Sequence, residues 1–407
     1  MKPTPPKEPR RLRRFAFPLA AIAPGAREAA ASKGLLGHVW PAPAVVFSAF
    51  MIAWGAECAQ FWVSRGMALA ILAWLQALPE FAVEAVIAWS QQIHFMTANF
   101  TGSLRLLVGL GWPLIFSVAA FGAWRRDKRL LRCITLDREN AIEVFALGLP
   151  ILYFVFIWAK ATLTLVDAGV LLAIYFLYLW VLRKIPPREE EHVEDLEAIP
   201  RRIMRLPKRA QGLVILGLFV GGGLLLAWSA HPFLESMLHF AVALGISEYL
   251  FIQWVAPFLS EFPEKLSAMY WARQKGKAAM ALMNMVSANI NQWTMLAAMI
   301  PMVYSMSVGR PTFVPFDEHQ RAEILLTIAQ SLLGMLLLMN MSFHIVEAAG
   351  IFLLWFLQFL VPGLHVPVTL IYLAWSAYEA FRMLVVRRHV EAWHALTEVW
   401  TRHGRRR

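Results

Sequence analysis

An all-α polytopic membrane protein is the fold class that this sequence predicts, and three observations carry the prediction. Of 407 residues, 59% are hydrophobic and 16% charged, with a mean hydropathy of +0.54. Apolar runs of roughly 20 residues, the length a helix needs to cross a bilayer, follow one another almost without pause. The third observation is a short stretch carried twice. Leu78-Pro79-Glu80 and Phe262-Pro263-Glu264 each set a proline and a carboxylate inside a run of membrane-grade apolarity. A carboxylate at that depth is costly and by default functional, and the proline removes a helix hydrogen bond beside it. Paired broken helices, one per half, are the sequence pointer to a transporter's binding site.

Residues 1–43 make a basic, proline-rich arm, with Arg10-Arg11-Leu12-Arg13-Arg14, too polar to span. Spans follow near 44–63, 66–92, 98–123, 141–159 and 162–182, so the first half covers 44–182. A charged linker at 183–209 sets Glu189-Glu190-Glu191 against Arg201-Arg202 and Lys208-Arg209, the pattern of a solvated cytoplasmic connector. The second half, 210–362, offers spans near 211–231, 233–247, 249–272, 279–305, 322–342 and 344–362, the short run 233–247 belonging to one of its neighbours. An extra span near 365–386 and a basic tail make up 363–407.

The net charge of +11 is concentrated in loops and at the two ends, where it orients a membrane protein against an anionic leaflet. The segments 125–132 and 183–209 fall on one side if the first half has five spans, and reading that side as cytoplasmic puts the C-terminal tail inside as well. The N-terminal arm then lies outside unless a re-entrant segment near 15–23 returns it. Only two cysteines occur, Cys58 and Cys133, which argues against a disulfide framework and a thiolate metal site. The lack of His-Glu-x-x-His and Gly-x-Ser-x-Gly patterns argues against an intramembrane hydrolase. No basic and aromatic module points to nucleic acid, and no cofactor is implied. The expected partners are membrane lipid and small inorganic cations, and the setting that fits is a prokaryotic inner membrane.

The two halves lie over each other. Pro79-Glu80 falls on Pro263-Glu264 at an offset of 184, Asn99 on Asn284 at 185, and Glu143, Asp167 and Phe176 on Glu323, Glu347 and Phe356 at 180. Polar landmarks that keep their order across such a length indicate duplication. Units of five spans, an odd number, insert the second copy upside down relative to the first.

Glu80 and Glu264 are the central candidates, because a carboxylate beside freed backbone carbonyls offers oxygen ligands to Na+, Ca2+ or a proton. Two such carboxylates neutralise one divalent ion, and protons or monovalent ions compete for them, which is the physical basis of antiport. Nineteen residues past Glu80 comes Asn99-Phe100-Thr101-Gly102-Ser103, and twenty past Glu264 comes Asn284-Met285-Val286-Ser287-Ala288-Asn289. Asn99 and Ser103 share one helix face, where their oxygens can join a single shell. Arg105, about two turns into a span, needs a counter-charge, for which Glu84 or Glu57 is expected; its fixed charge is a candidate substitute for one transported monovalent ion. Asp167 and Glu347 are expected to cap helices.

Pro-Glu in a broken helix, followed after some twenty residues by Asn and small polar residues, twice over, resembles the paired alpha repeats of the calcium/cation antiporter superfamily, which includes the sodium/calcium exchangers. Leu244-Gly245-Ile246-Ser247-Glu248 is similar to the lead-in of that family's second repeat. The resemblance spans about 44–362, with repeats near 50–123 and 233–305. It implies a ten-helix core, the two repeat glutamates as metal ligands, and alternating access by movement of two gating helices. This chain departs from the family pattern at Leu75-Gln76-Ala77 and Leu259-Ser260-Glu261, where Gln76, Ser260 and Glu261 stand as replacement ligands. It also carries Leu107 and Gln292 where the family offers Asn or Asp, so one side of the cage is expected to be missing. The function implied is secondary-active exchange of Ca2+ or another cation against Na+ or H+; a transport-deficient homologue serving as a sensing or assembly subunit is the alternative.

Overall fold

The computed structural model describes residues 39–62, 75, 77–184, 193–385 and 391–401. The N-terminal arm up to residue 38, with its re-entrant segment, lies outside the described residues, as do Gln76, Glu189 to Glu191 and the final arginines. Among the described residues the fold is all-helical apart from four two- or three-residue strands.

The first half runs α1 (Pro41–Ala59), α2 (Leu78–Trp89), α3 (Ile93–Leu106), α4 (Trp112–Asp127), β1 (Cys133–Thr135), α5 (Ala141–Lys160), β2 (Thr162–Leu163) and α6 (Leu165–Arg183). A short helix α7 (Ala198–Met204) precedes the second half, which runs α8 (Lys208–Leu244), α9 (Glu248–Ser260), α10 (Phe262–Ala272), α11 (Ala278–Asn291), α12 (Ala297–Val308), β3 (Val314–Pro315), α13 (Glu318–Leu338), β4 (Ser342–His344) and α14 (Ile345–Leu360). The extra span is α15 (His365–Val385), followed by α16 (Glu391–Val399). Six stretches among the described residues are long and apolar enough to cross a membrane unaided, including 93–127 as one continuous unit of α3 and α4.

The short run 233–247 belongs to the helix before it, one of the two expected assignments: with 211–231 it forms α8, of 37 residues with Pro232 inside it. A proline within a membrane helix is tolerated where neighbouring groups absorb the lost hydrogen bond. One expectation changes: the linker is not a wholly solvated connector. Pro200 and Ile203 of α7 are buried, Cys58 Sγ lies 3.7 Å from the Pro200 carbonyl, and Arg201 donates to the Leu196 carbonyl at 2.6 Å and the Tyr270 hydroxyl at 3.0 Å.

Inversion of the halves follows from strand pairing. β1, which precedes α5, pairs antiparallel with β4, which follows α13; β2, which follows α5, pairs with β3, which precedes α13. The start of α5 therefore sits beside the end of α13, so the two equivalent helices run in opposite directions. The registers are related by the same 180-residue offset: Ile134 opposes Phe343, and Leu163 opposes Val314. Helix starts repeat too, with capping boxes Asp137/Asn140 and Asp317/Gln320, then Thr164/Asp167 and His344/Glu347. Asp167 and Glu347 thus cap helices as expected, Glu347 accepting from the His344 backbone N–H at 2.7 Å. A π-helical turn breaks the α pattern at 107–111 and again at 292–296, 185 residues apart.

Helices α3 and α9 cross in close contact at Gly102. A Cβ there would lie 1.8 Å from the Gln253 carbonyl oxygen, a separation backbone atoms cannot adopt. Gly102→Ala is expected to push α9 off α3 and to cost about 3 kcal/mol or more, beyond ordinary overpacking. The check is the thermal aggregation midpoint of the detergent-solubilised protein, which should fall by many degrees relative to Ala substitution at the open Gly217.

The C-terminal segment closes one end of the bundle. On α16, Glu398 pairs with Arg138 and Trp393 packs edge-on against Phe145, while just beyond it Trp400 meets Trp180. The Ala392 N–H donates to the Met339 carbonyl at 3.1 Å. These contacts fall where α5 begins and where α6 and α13 end, the side that carries both basic loops and on which the C-terminal tail is expected.

Candidate functional site

The chain breaks where proline denies the backbone a donor. Helix α9 ends at Ser260, α10 starts at Phe262, and Glu261 sits at the joint with Pro263 in the first turn beyond. In the first half Pro79 likewise lies in the first turn of α2. Glu80 and Glu264 therefore occupy the N-terminal first turns of two half-helices, where unsatisfied N–H groups favour negative charge.

These carboxylates come together in the protein interior. Glu80, Glu261 and Glu264 are 1%, 1% and 2% exposed. Gln292, on the π turn after α11, bridges two of them: its Nε2 donates to Glu80 Oε2 at 2.6 Å and to Glu261 Oε1 at 2.9 Å. The Ser103 hydroxyl donates to Glu261 Oε1 and lies close to Glu80. Lys265, 3% exposed and four residues beyond Glu261, donates to Glu261 Oε2. Glu264 interacts electrostatically with Glu261, Lys265 and Glu80.

One turn further along α2, Glu84 Oε2 accepts from Asn99 Nδ2 at 2.7 Å. Residues four apart on α2, Glu80 and Glu84, thus face residues four apart on α3, Ser103 and Asn99. Several buried oxygens around this centre have no donor: Glu80 Oε1, Glu84 Oε1, Asn99 Oδ1, Glu264 Oε1 and Gln292 Oε1. Unpaired buried oxygens at this depth are costly, and a hard cation is the partner that their chemistry suits. Among the described residues no three His, Cys, Asp or Glu side chains form a metal cage, so a cation held here needs hydroxyl and amide oxygens as well as carboxylates.

Most of the expected ligands lie at this centre, and some do not. Glu80, Glu261 and Ser103 meet at this centre, Glu264 interacts with Glu80 and Glu261 electrostatically, and Asn99 joins through Glu84. Ser260 instead donates to the carbonyl of Pro257 at 3.3 Å within its own helix. Asn284 is buried with Nδ2 unpartnered, and Asn289 is fully buried with neither polar atom hydrogen-bonded. Gln292, expected to leave the cage one ligand short, fills that side as the bridge between two glutamates. Lys265 was missed altogether. Its signal in the sequence was the i,i+4 spacing from Glu261, which places the two on one helical face.

Arg105 is corrected. Its partner is neither Glu84 nor Glu57 but Glu323 on α13, whose Oε2 accepts from Nη2 at 2.5 Å, with both side chains fully buried. Glu84 is taken by Asn99, and Glu57 accepts from Ser267 at 2.9 Å. The guanidinium also donates to Gln358 at 3.2 Å and lies over the Trp254 ring at 5.0 Å, while Gln253 donates to Glu323 at 2.8 Å and His365 Nδ1 lies 2.8 Å from the other oxygen. Arg105 therefore belongs to a second polar centre and lacks a hydrogen bond to the three glutamates.

Two inverted five-span halves whose broken helices bring buried carboxylates together define an inverted-repeat secondary transporter. The chain belongs to the sodium/calcium exchanger family, within the calcium/cation antiporter superfamily: the sequence profile described as "Sodium/calcium exchanger protein" matches residues 35–184 and 214–362, one segment per half. A solved structure described as an H+/Ca2+ exchanger, CAX, is 32% identical with a TM-score of 0.81, covering 92% of this chain and 94% of its own. The sodium-calcium exchanger NCX_Mj, soaked with 10 mM Na+ and zero Ca2+, shares the fold at 19% identity and a TM-score of 0.52, covering 80% of this chain and 98% of its own. Comparison with curated proteins gave no significant match. The chain is thus a multi-pass integral membrane protein of a cation-antiporter family.

Proposed function

We propose that this protein exchanges Ca2+ against H+ or Na+ by alternating access, with Glu80 and Glu264 as the cation ligands. The observation that carries the proposal is that these two carboxylates from opposite halves lie within electrostatic reach of each other, each buried and each with Oε1 unpartnered. Two negative charges suit one divalent ion, and two protons or two sodium ions are the alternative load for the same oxygens. Ser103 and Gln292 contribute neutral groups, and Gln292 presents its unpartnered Oε1 in addition to its amide donor. Seventeen tryptophans and 27 phenylalanines supply interface belts and lipid-facing packing. The setting that fits is a prokaryotic inner membrane with the basic loops in the cytoplasm.

H+ is the favoured counter-ion, since the 32% identical structure is described as an H+/Ca2+ exchanger. Proteoliposome flux under imposed pH and Na+ gradients tests this: Ca2+ uptake is expected to follow an outward proton gradient. Uptake driven only by Na+ would reassign the counter-ion. Flux at the blank level under every gradient and with every divalent ion tried would mark a transport-deficient homologue.

A further inference from the structure

Three carboxylates at one depth carry more negative charge than one divalent ion neutralises. The excess is met inside the protein. Glu261 is saturated: Oε1 accepts from Ser103 and from Gln292 at 2.9 Å, and Oε2 accepts from Lys265. Glu80 and Glu264, by contrast, each keep one oxygen without a partner. We infer that the Lys265 ammonium is a resident cation of the exchange site, tethered on α10 in the place of one monovalent ion, so that Glu261 is neutralised and Glu80 and Glu264 are left to face the transported ion.

The inverted repeat supports this independently of the hydrogen bonds. At the 184-residue offset that superposes the two Pro-Glu stretches, Glu261 falls on Ala77 and Lys265 on Phe81. The extra carboxylate and the extra ammonium thus occur together in one half and are both missing from the other. As a pair they add nothing to the net charge of the site, which stays at that of the carboxylates without an ammonium partner. Each alone would unbalance it, because a buried charge without its partner is far more costly than a buried pair. An ammonium suits the role as a compact charge on a flexible stem, comparable in size to a small hydrated cation's core. The sequence suggested such a tethered charge in Arg105; the structure pairs Arg105 with Glu323 and puts Lys265 on the site.

The inference rests on the proposed exchange, and the test separates the two. Ca2+ uptake into proteoliposomes is measured at fixed alkaline pH with Na+ varied on the side from which Ca2+ enters. In wild type, Na+ on that side competes with Ca2+ or has no effect. In Lys265→Met, Glu261 needs a replacement cation, so uptake without Na+ is expected to fall at least about tenfold, equivalent to about 1.4 kcal/mol, and to rise on adding it. Lys265→Met combined with Glu261→Gln removes both charges and is expected to regain uptake and lose the stimulation by Na+; Lys265→Arg is expected to stay free of it. The inference is overturned if Lys265→Met transports like wild type without Na+. It is also overturned if the double variant, eluting as wild type in size exclusion, transports no better than the single one. Absence of wild-type uptake, or wild-type uptake in Glu80→Gln, would instead overturn the exchange site itself.

Discussion

Glu80→Gln and Glu264→Gln are each expected to reduce Ca2+ exchange by about a hundredfold or more while leaving the protein in the membrane. The amide keeps the shape and removes one of the two unneutralised charges facing the ion. Losing a buried charge partner costs about 3 kcal/mol or more, and each 1.4 kcal/mol is tenfold in affinity. Folding should survive because each glutamate has an oxygen free of donors, so the substitution leaves few hydrogen bonds unmade. At Glu80 the bond from Gln292 can still be accepted by the amide oxygen, and at Glu264 no donor is lost at Oε1. Uptake in proteoliposomes, normalised to reconstituted protein, is the measurement. Exchange within a few-fold of wild type in either variant would remove that glutamate from the site, and an effect in only one would break the symmetry between the halves.

The site was legible in the sequence wherever its signal was local. A proline next to a carboxylate inside an apolar run is visible without any fold, and its recurrence fixed both the duplication and the two central residues. The capping carboxylates Asp167 and Glu347 were equally plain, being three residues from the groups that they bond. What escaped was set by long-range packing. Gln292 lies 212 residues from Glu80, and nothing in the sequence shows that a π turn swings its amide between two glutamates. Arg105 and Glu323 are 218 residues apart, and Glu84, the nearer carboxylate in sequence, was the natural but incorrect partner. Lys265 falls between these cases: its spacing to Glu261 was local, but reading it as a site residue required knowing that both are buried.

The second polar centre predicts a coupled effect on stability rather than on ion choice. Arg105→Met leaves Glu323 buried with its charge met only by Gln253 and His365, and Glu323→Gln leaves the guanidinium without an anion. Each single change is expected to cost about 3–5 kcal/mol, the range for breaking a buried ion pair from one side. Removing both charges together avoids an isolated ion, so the double variant should be more stable than the sum of the singles by about 2 kcal/mol or more in a double-mutant cycle. The centre also bolts the extra helix to the core: His365 of α15 lies against Glu323, and Tyr372 and Ser376 further along α15 are buried. Loosening it should therefore expose the α15 contact, and limited proteolysis between α14 and α15 should accelerate in each single variant more than in the double one. Since Arg105 has no hydrogen bond to Glu80, Glu261 or Glu264, the double variant is expected to keep the wild-type response of uptake to Na+. Additive losses of thermal stability would show that the pair is not coupled, and a changed Na+ response would return to Arg105 the role that the structure gives to Lys265.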